Sequence, residues 1–229
     1  MKDDFFRFPS TPHLSVLGDY PIRDDKVMSD AERIEFLRNE IVVEEKVDGA
    51  NLGISFDSEG TVRAQNRGSY ISLPGVGQWK KLGDWLSVRT ETLFEQLVDR
   101  YILFGEWCYA RHSLGYDRLP DWFLGFDVYD RHAARFVGTS RRHEFFQATD
   151  VFPVPLIGQG HFTLSELTEL LTESGLGKQP AEGLYLRYDE GDWLVNRAKL
   201  VRPSFIQSVQ QHWSRSPVQP NRLLSEATG

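Results

Sequence analysis

A succession of short runs of β-branched and apolar residues, separated by turn signals, constrains this chain more than any other feature of its sequence. The runs cover residues 41–46, 51–57, 61–67, 101–107, 122–129, 135–137, 183–188 and 193–201. Ser58-Glu59-Gly60, residues 130–134 and Asp189-Glu190-Gly191-Asp192 lie between neighbouring runs as hairpin loops, so the strands are expected to be mainly antiparallel. Ser29-Asp30-Ala31-Glu32 has the form of a capping box ahead of a short helix ending near Glu40. Trp85, Leu86, Val88, Leu93, Phe94, Leu97 and Val98 are spaced as on one helix over 84–100, and 141–149 and 165–174 read as two more. The expected class is α+β, with mainly antiparallel sheets and flanking helices. No repeat, low-complexity tract or Gly/Ser linker divides the chain, which is expected to form one domain. Its parts are an N-terminal extension and helix over 1–40, a core over 41–202, and a basic C-terminal helix and tail over 203–229.

Hydrophobic residues make up 40% and charged residues 26%, which excludes disorder as the main state. Lys and Arg number 26 against 33 Asp and Glu, a net charge of −7, so any polynucleotide must meet a local basic patch. One candidate runs from Trp193 to Ser225, where Arg197, Lys199, Arg202, Arg215 and Arg222 occur without an Asp or Glu. Lys80, Lys81, Arg111, His112, Arg141 and Arg142 could extend it. The single cysteine, Cys108, can form no internal disulfide, which points to a reducing, cytoplasmic setting. No stretch approaches the roughly 18 apolar residues of a membrane span, so no membrane partner is expected.

Glu44-Glu45-Lys46-Val47-Asp48-Gly49-Ala50-Asn51 places a lysine at the end of a strand, just before an Asp-Gly turn. A lysine held rigidly and partly desolvated suits a nucleophile, and neighbouring cations would favour its neutral form. Taken alone, the octet is equally an ordinary strand-end lysine before a hairpin turn. Further stretches follow in order: Gln65-Asn66-Arg67-Gly68, Leu103-Phe104-Gly105-Glu106, Phe126-Asp127-Val128-Tyr129, Glu182-Gly183 and Arg197-Ala198-Lys199. The ordered set, spanning 44–202, resembles the motifs of the covalent nucleotidyltransferase superfamily, which comprises ATP-dependent polynucleotide ligases and mRNA capping enzymes.

The resemblance implies a nucleotidyltransferase core of the ATP-grasp-like ligase kind, with ATP and Mg²⁺ or Mn²⁺ as cofactors. Lys46 would attack the α-phosphorus and become lysyl-AMP; the AMP would pass to a 5′-phosphate, and a 3′-hydroxyl would displace it. Lys199 and Arg197 would face the α-phosphate, and Arg67 a phosphate at the nucleotide or nucleic acid end. Glu182, with Asp48, would face the metal ion. Glu106 would accept from the ribose hydroxyls, Phe126 would stack on adenine, Glu45 would read the adenine edge, and Asn51 would complete the nucleotide site.

Thirty residues follow Lys199, fewer than the roughly seventy of an oligonucleotide-binding barrel, so no such domain is expected. That disfavours capping enzymes and cellular DNA ligases, and favours the phage T4 RNA-ligase-2-like group and bacterial RNA-repair ligases. Phe8-Pro9-Ser10-Thr11-Pro12-His13-Leu14 and the stretch from Glu106 to Tyr116 resemble that group too. Two departures stand out: many phage members have His where this chain has Asp48, and they carry a C-terminal helical domain. The expected partner is nucleic acid with 5′-phosphate and 3′-hydroxyl ends, RNA favoured, gripped by Arg202, Arg215 and Arg222. An end-healing enzyme or accessory domain could act in trans. A minimal DNA ligase and a non-catalytic nucleotide-binding regulator are the alternatives.

Overall fold

The computed structural model describes residues 5–18, 26–205 and 218–226. Its strands assemble into two sheets. The first contains β1 (Ile41–Lys46), β8 (Leu156–Gly160), β9 (Gly183–Glu190) and β10 (Trp193–Val201), in the order β10-β9-β1-β8. The second contains β2 (Ala50–Phe56), β3 (Val62–Gln65), β4 (Tyr101–Trp107), β5 (Phe123–Asp130) and β6 (Arg135–Phe136), in the order β3-β2-β4-β5-β6. β7 (Phe152–Pro153) adds to β5 in parallel, and the other strand pairs are antiparallel. Among the described residues neither sheet closes into a barrel. The α+β class and the antiparallel pairing are therefore as the sequence led us to expect.

One turn is not. Asp48-Gly49 closes no hairpin, because β1 pairs with β8 and β9 while β2 pairs with β3 and β4. The chain changes sheets there, and Lys46 is the last residue before the crossing. β1 can lie between two neighbours because Ile41 to Glu45 are all buried. β8 escapes sequence reading because Gly158 and Gly160 interrupt it and Leu156 is 58% exposed, so no alternation marks its inner face. It pairs with β1 through its backbone, with a register irregularity between Val43 and Glu44.

The helices differ from expectation at their ends. α1 (Asp30–Leu37) has the capping box of Ser29 and Glu32, and stops early because Asn39 Nδ2 donates to the Glu35 carbonyl at 2.8 Å. The single helix expected over 84–100 is two, α2 (Leu82–Ser87) and α3 (Thr90–Leu97). At the break Ser87 Oγ donates to Asp84 O and Thr90 Oγ1 to Leu86 O, side-chain bonds that compete with the helical ladder. Arg89 turns away there to lie over the Trp85 ring and pair with Asp121 at 2.9 Å. α4 (Thr139–Ala148) begins two residues earlier than expected, and α5 (Leu164–Glu169) ends well before Ser174. The expected C-terminal helix lies mostly outside the described residues.

Three buried clusters hold the elements together. One packs α2 and α3 under the six-stranded sheet through Trp85, Leu93, Leu97, Trp107 and Phe123. A second joins Leu14, Met28, Phe36 and Leu167 to the four-stranded sheet. The third contains Phe8, Val47, Phe104, Leu124 and Phe126 and so ties the N-terminal segment to the six-stranded sheet and to the residue that follows β1. That segment also covers the free edge of β10: Lys199 N donates to Pro12 O and Leu14 N to Lys199 O.

Candidate active site

A cavity of about 200 Å³ opens beside the crossing from β1 to β2, lined from both sheets. Glu45, Lys46, Glu182, Tyr185 and Lys199 come from the four-stranded sheet and its approaches, Arg67, Glu106 and Phe126 from the six-stranded one, and Phe8 and Thr11 from the N-terminal segment. Seven residues singled out in the sequence thus meet at one place: Glu45, Lys46, Arg67, Glu106, Phe126, Glu182 and Lys199.

Lys46 Nζ lies 2.6 Å from Glu182 Oε1, with the lysine side chain 24% exposed and the glutamate 7%. Lys46 stands opposite Gly183 in the β1–β9 ladder, and Gly183 lies against β10 so closely that a Cβ there would be 2.2 Å from Leu200 O. Any side chain at 183 would push the strand carrying Glu182 away from the lysine. Burial works against the Lys46 ammonium, but Glu182, Glu106 and Asp48 together outweigh it and hold its pKa above the usual value. This corrects the expectation of an amine kept neutral by surrounding cations: around Lys46 the carboxylates dominate. Lys199 behaves in the opposite way, since burial, reinforced by the Lys46 charge, brings it down to about 8.

At the other wall, Glu106 is pushed up to about 8 by burial, against the opposing pull of Lys46 and Arg67. Its Oε2 is buried without a partner among the described residues, and so are both amide atoms of Asn51, which stands opposite it on β2. Glu106 lines the cavity and Asn51 lies beside it, outside the lining; unpaired polar atoms next to a cavity suit the hydroxyls of a ligand. Phe126 presents a ring held edge-on by Phe8 at 5.3 Å. Arg67 reaches the cavity from an exposed turn that Asn66 Oδ1 ties through the backbone N–H groups of Gly68 and Ser69.

The remaining candidates are placed differently. Glu45 lines the cavity, but its oxygens accept from Ser174 Oγ and Gly175 N, so it anchors the 174–175 turn. Asp48 Oδ2 accepts from Ser113 N at 2.7 Å and Leu114 N at 2.8 Å, so one of its oxygens holds a loop, and Asp48 is not among the residues that line the cavity. Arg197 is not at the cavity wall: it pairs with Asp127 at 2.7 Å and lies between the rings of Phe8 and Phe136. Arg202 donates to the carbonyls of Ala181, Leu171 and Thr172, which leaves little of it for a nucleic acid strand. Arg222 is exposed, and Arg215 lies outside the described residues. No group of three or more metal-ligating side chains occurs among the described residues.

Sequence reading missed the buried charges behind the cavity. Arg142, thought to extend a basic surface, is fully buried and pairs with Glu44, with Nη1 3.1 Å from Oε2. It and Arg187 both donate to the Phe126 carbonyl, and Arg187 continues to Asp127. The network links β1, β5, β9, β10 and α4 directly under the aromatic wall. Nothing in the local sequence marks it, because its partners come together only in the fold.

The sequence profile of the RNA ligase family matches residues 39–201, most of the chain and all of the cavity's motif residues. The chain belongs to the RNA ligase family. Comparison with curated protein sequences gives no match. Among solved structures, Naegleria gruberi RNA ligase with PPi is similar, at 15% identity and a TM-score of 0.60, over 76% of this chain and 52% of that one. A mutant of the same ligase with AMP and Mn matches at 16% identity and TM-score 0.59, over 92% of this chain and 65% of that one. Another mutant, with ATP and Mn, gives 15% identity and TM-score 0.59, over 90% and 64%. At these identities the likeness concerns the fold, and the chain spans between about half and two thirds of those ligases.

Proposed function

We propose that this RNA ligase family member is an ATP-dependent ligase that joins 5′-phosphate to 3′-hydroxyl RNA ends through lysyl-AMP at Lys46 and an adenylylated end. The observation that carries the reading is the position of Lys46. It is the last residue of β1, aimed into a cavity between two sheets, with Glu182 Oε1 2.6 Å from its Nζ and Lys199 also lining the cavity. In the first step the lysine nitrogen bonds to the α-phosphorus and the bond to the β-phosphate oxygen breaks, releasing pyrophosphate. Lys199 and Arg67 are placed to take up phosphate charge, Glu106 and Asn51 to meet ribose hydroxyls, and Phe126 to stack on the base.

Lys46 must shed its proton before it attacks. The residues present suit a divalent cation: Glu182 is a buried carboxylate in the cavity, a hard oxygen donor of the kind Mg²⁺ and Mn²⁺ accept beside phosphate oxygens and water. Such an ion supplies charge neutralisation at phosphorus, and solved relatives in the fold comparison contain ATP or AMP with Mn. With Glu182 engaged in this way, Lys46 loses the strongest attraction that keeps it an ammonium.

The family match supports RNA over the minimal DNA-ligase alternative, and the complete set of cavity residues supports an enzyme over a non-catalytic binder. The same end chemistry fits a role in RNA repair, with end-healing supplied in trans. No described helix is long and apolar enough to cross a membrane. Sealing assays on nicked RNA, RNA–DNA and all-DNA duplexes test the reading. Faster sealing of RNA-containing nicks is expected, and equal sealing of all-DNA nicks would overturn the RNA assignment.

A further inference from the structure

The family match ends at residue 201, yet a later segment is built into the neighbourhood of the nucleophile. Residues 219–224 lie along the loop that leaves β4 one residue after Glu106. Arg111 N donates to Gln219 O at 2.7 Å, Asn221 N to Tyr109 O at 2.9 Å, and Leu224 N to Leu119 O at 2.8 Å. Asn221, 4% exposed, is the centre of this strap. Its Nδ2 donates to Cys108 O at 2.8 Å and Ala110 O at 3.3 Å, while its Oδ1 accepts from Tyr116 N at 2.8 Å. One amide thus serves three backbone groups of a loop that has no ladder to satisfy them.

The same loop holds the segment that follows Lys46. Tyr116, 3% exposed, accepts the Asp48 N–H on its hydroxyl at 2.7 Å. Asp48 returns two bonds, accepting from Ser113 N and Leu114 N. Asp48 is two residues beyond the nucleophile, at the point where the chain leaves one sheet for the other and no strand partner fixes it. Its position is therefore set by the loop, and the loop's by Asn221.

We infer that Asn221 is a positioning residue for Lys46, acting through Tyr116 and Asp48 to hold the end of β1 in line with the nucleotide. This rests on the reading of Lys46 as the nucleophile. It gives the strap a role in the chemistry, where sequence reading gave this region to strand binding. The nucleotide's own contacts, on Glu106, Phe126 and Lys199, lie on other elements, so loss of Asn221 should disturb attack more than ATP binding.

The test measures lysyl-AMP formation with ATP and Mn²⁺ in the full chain, as the rate at saturating ATP and as the ATP concentration for half-saturation. Asn221→Ala should slow the saturated rate by about 10- to 100-fold while half-saturation stays within about twofold, the signature of lost alignment rather than lost binding. Tyr116→Phe, which keeps the buried ring and removes the hydroxyl, should give the same pattern, and the double variant should be no slower than the slower single one. Wild-type rates in both variants would overturn the inference, as would a defect confined to half-saturation. If Asn221→Ala does not fold, Tyr116→Phe decides alone, and a wild-type rate overturns the inference. Absence of adduct in the wild-type protein would instead overturn the reading of Lys46, and this inference with it.

Discussion

Replacing Arg142 by Met removes one guanidinium from the floor of the site and leaves Glu44 buried without its partner. Both side chains are essentially inaccessible, at 0% and 1% exposure, so neither can turn to water. The Phe126 carbonyl would keep only Arg187, at 3.3 Å. Breaking a buried pair by removing one member costs about 3–5 kcal/mol, a large part of the roughly 5–15 kcal/mol that stabilises a typical domain. Replacing both partners, as Glu44→Leu with Arg142→Met, removes the stranded charge as well, and should recover most of the loss. Urea denaturation of wild-type, single and double variants at pH 8 measures both quantities. A single variant within about 1 kcal/mol of wild type at pH 8, or a double variant as unstable as the single one, would refute the reasoning.

Lys199, brought down to about 8, should gain a proton when ATP places its phosphates beside it. Calorimetric titration with ATP near pH 8.5 in two buffers should show proton uptake, and Lys199→Met should abolish it; equal uptake in the variant would refute the assignment. Glu106, raised from 4.5 to about 8, binds a proton in the folded state that the unfolded chain has lost. That contribution is present below pH 4.5 and fades as pH rises toward 8, so Glu106→Gln should flatten the decline of stability over this window; an unchanged profile would count against it. Arg202→Ala should lower the thermal midpoint, because three backbone carbonyls lose their donor, whereas Arg222→Ala should leave it unchanged and flatten the salt dependence of RNA binding. The reverse pattern would restore Arg202 to the strand-binding surface.

The longer central strands β1, β2, β4, β5 and β9 were legible because they bury contiguous runs rich in apolar residues, and the motif residues because they fall in a recognisable order. What was not legible depends on distant partners. Lys46 and Asp48 look like the arms of a hairpin, but β8 and β9 claim β1 and send the chain into the other sheet. Arg142 and Arg202 look like surface cations, and only the fold brings Glu44 to the first and the carbonyls of 171, 172 and 181 to the second. Charge alone cannot tell a phosphate-binding arginine from one that fastens the backbone. Asn221 carries no signal in the sequence, since its importance lies in three backbone groups far away along the chain.

The central claim, that Lys46 carries the nucleotide, is tested most directly by incubating the protein with α-labelled ATP and Mg²⁺ or Mn²⁺ and mapping the label by peptide mass spectrometry. The account predicts one AMP bonded to the peptide that contains Lys46, and no adduct in Lys46→Ala or in Lys46→Arg, whose guanidinium remains protonated. Label on another residue, or an adduct that survives Lys46→Ala, would contradict it.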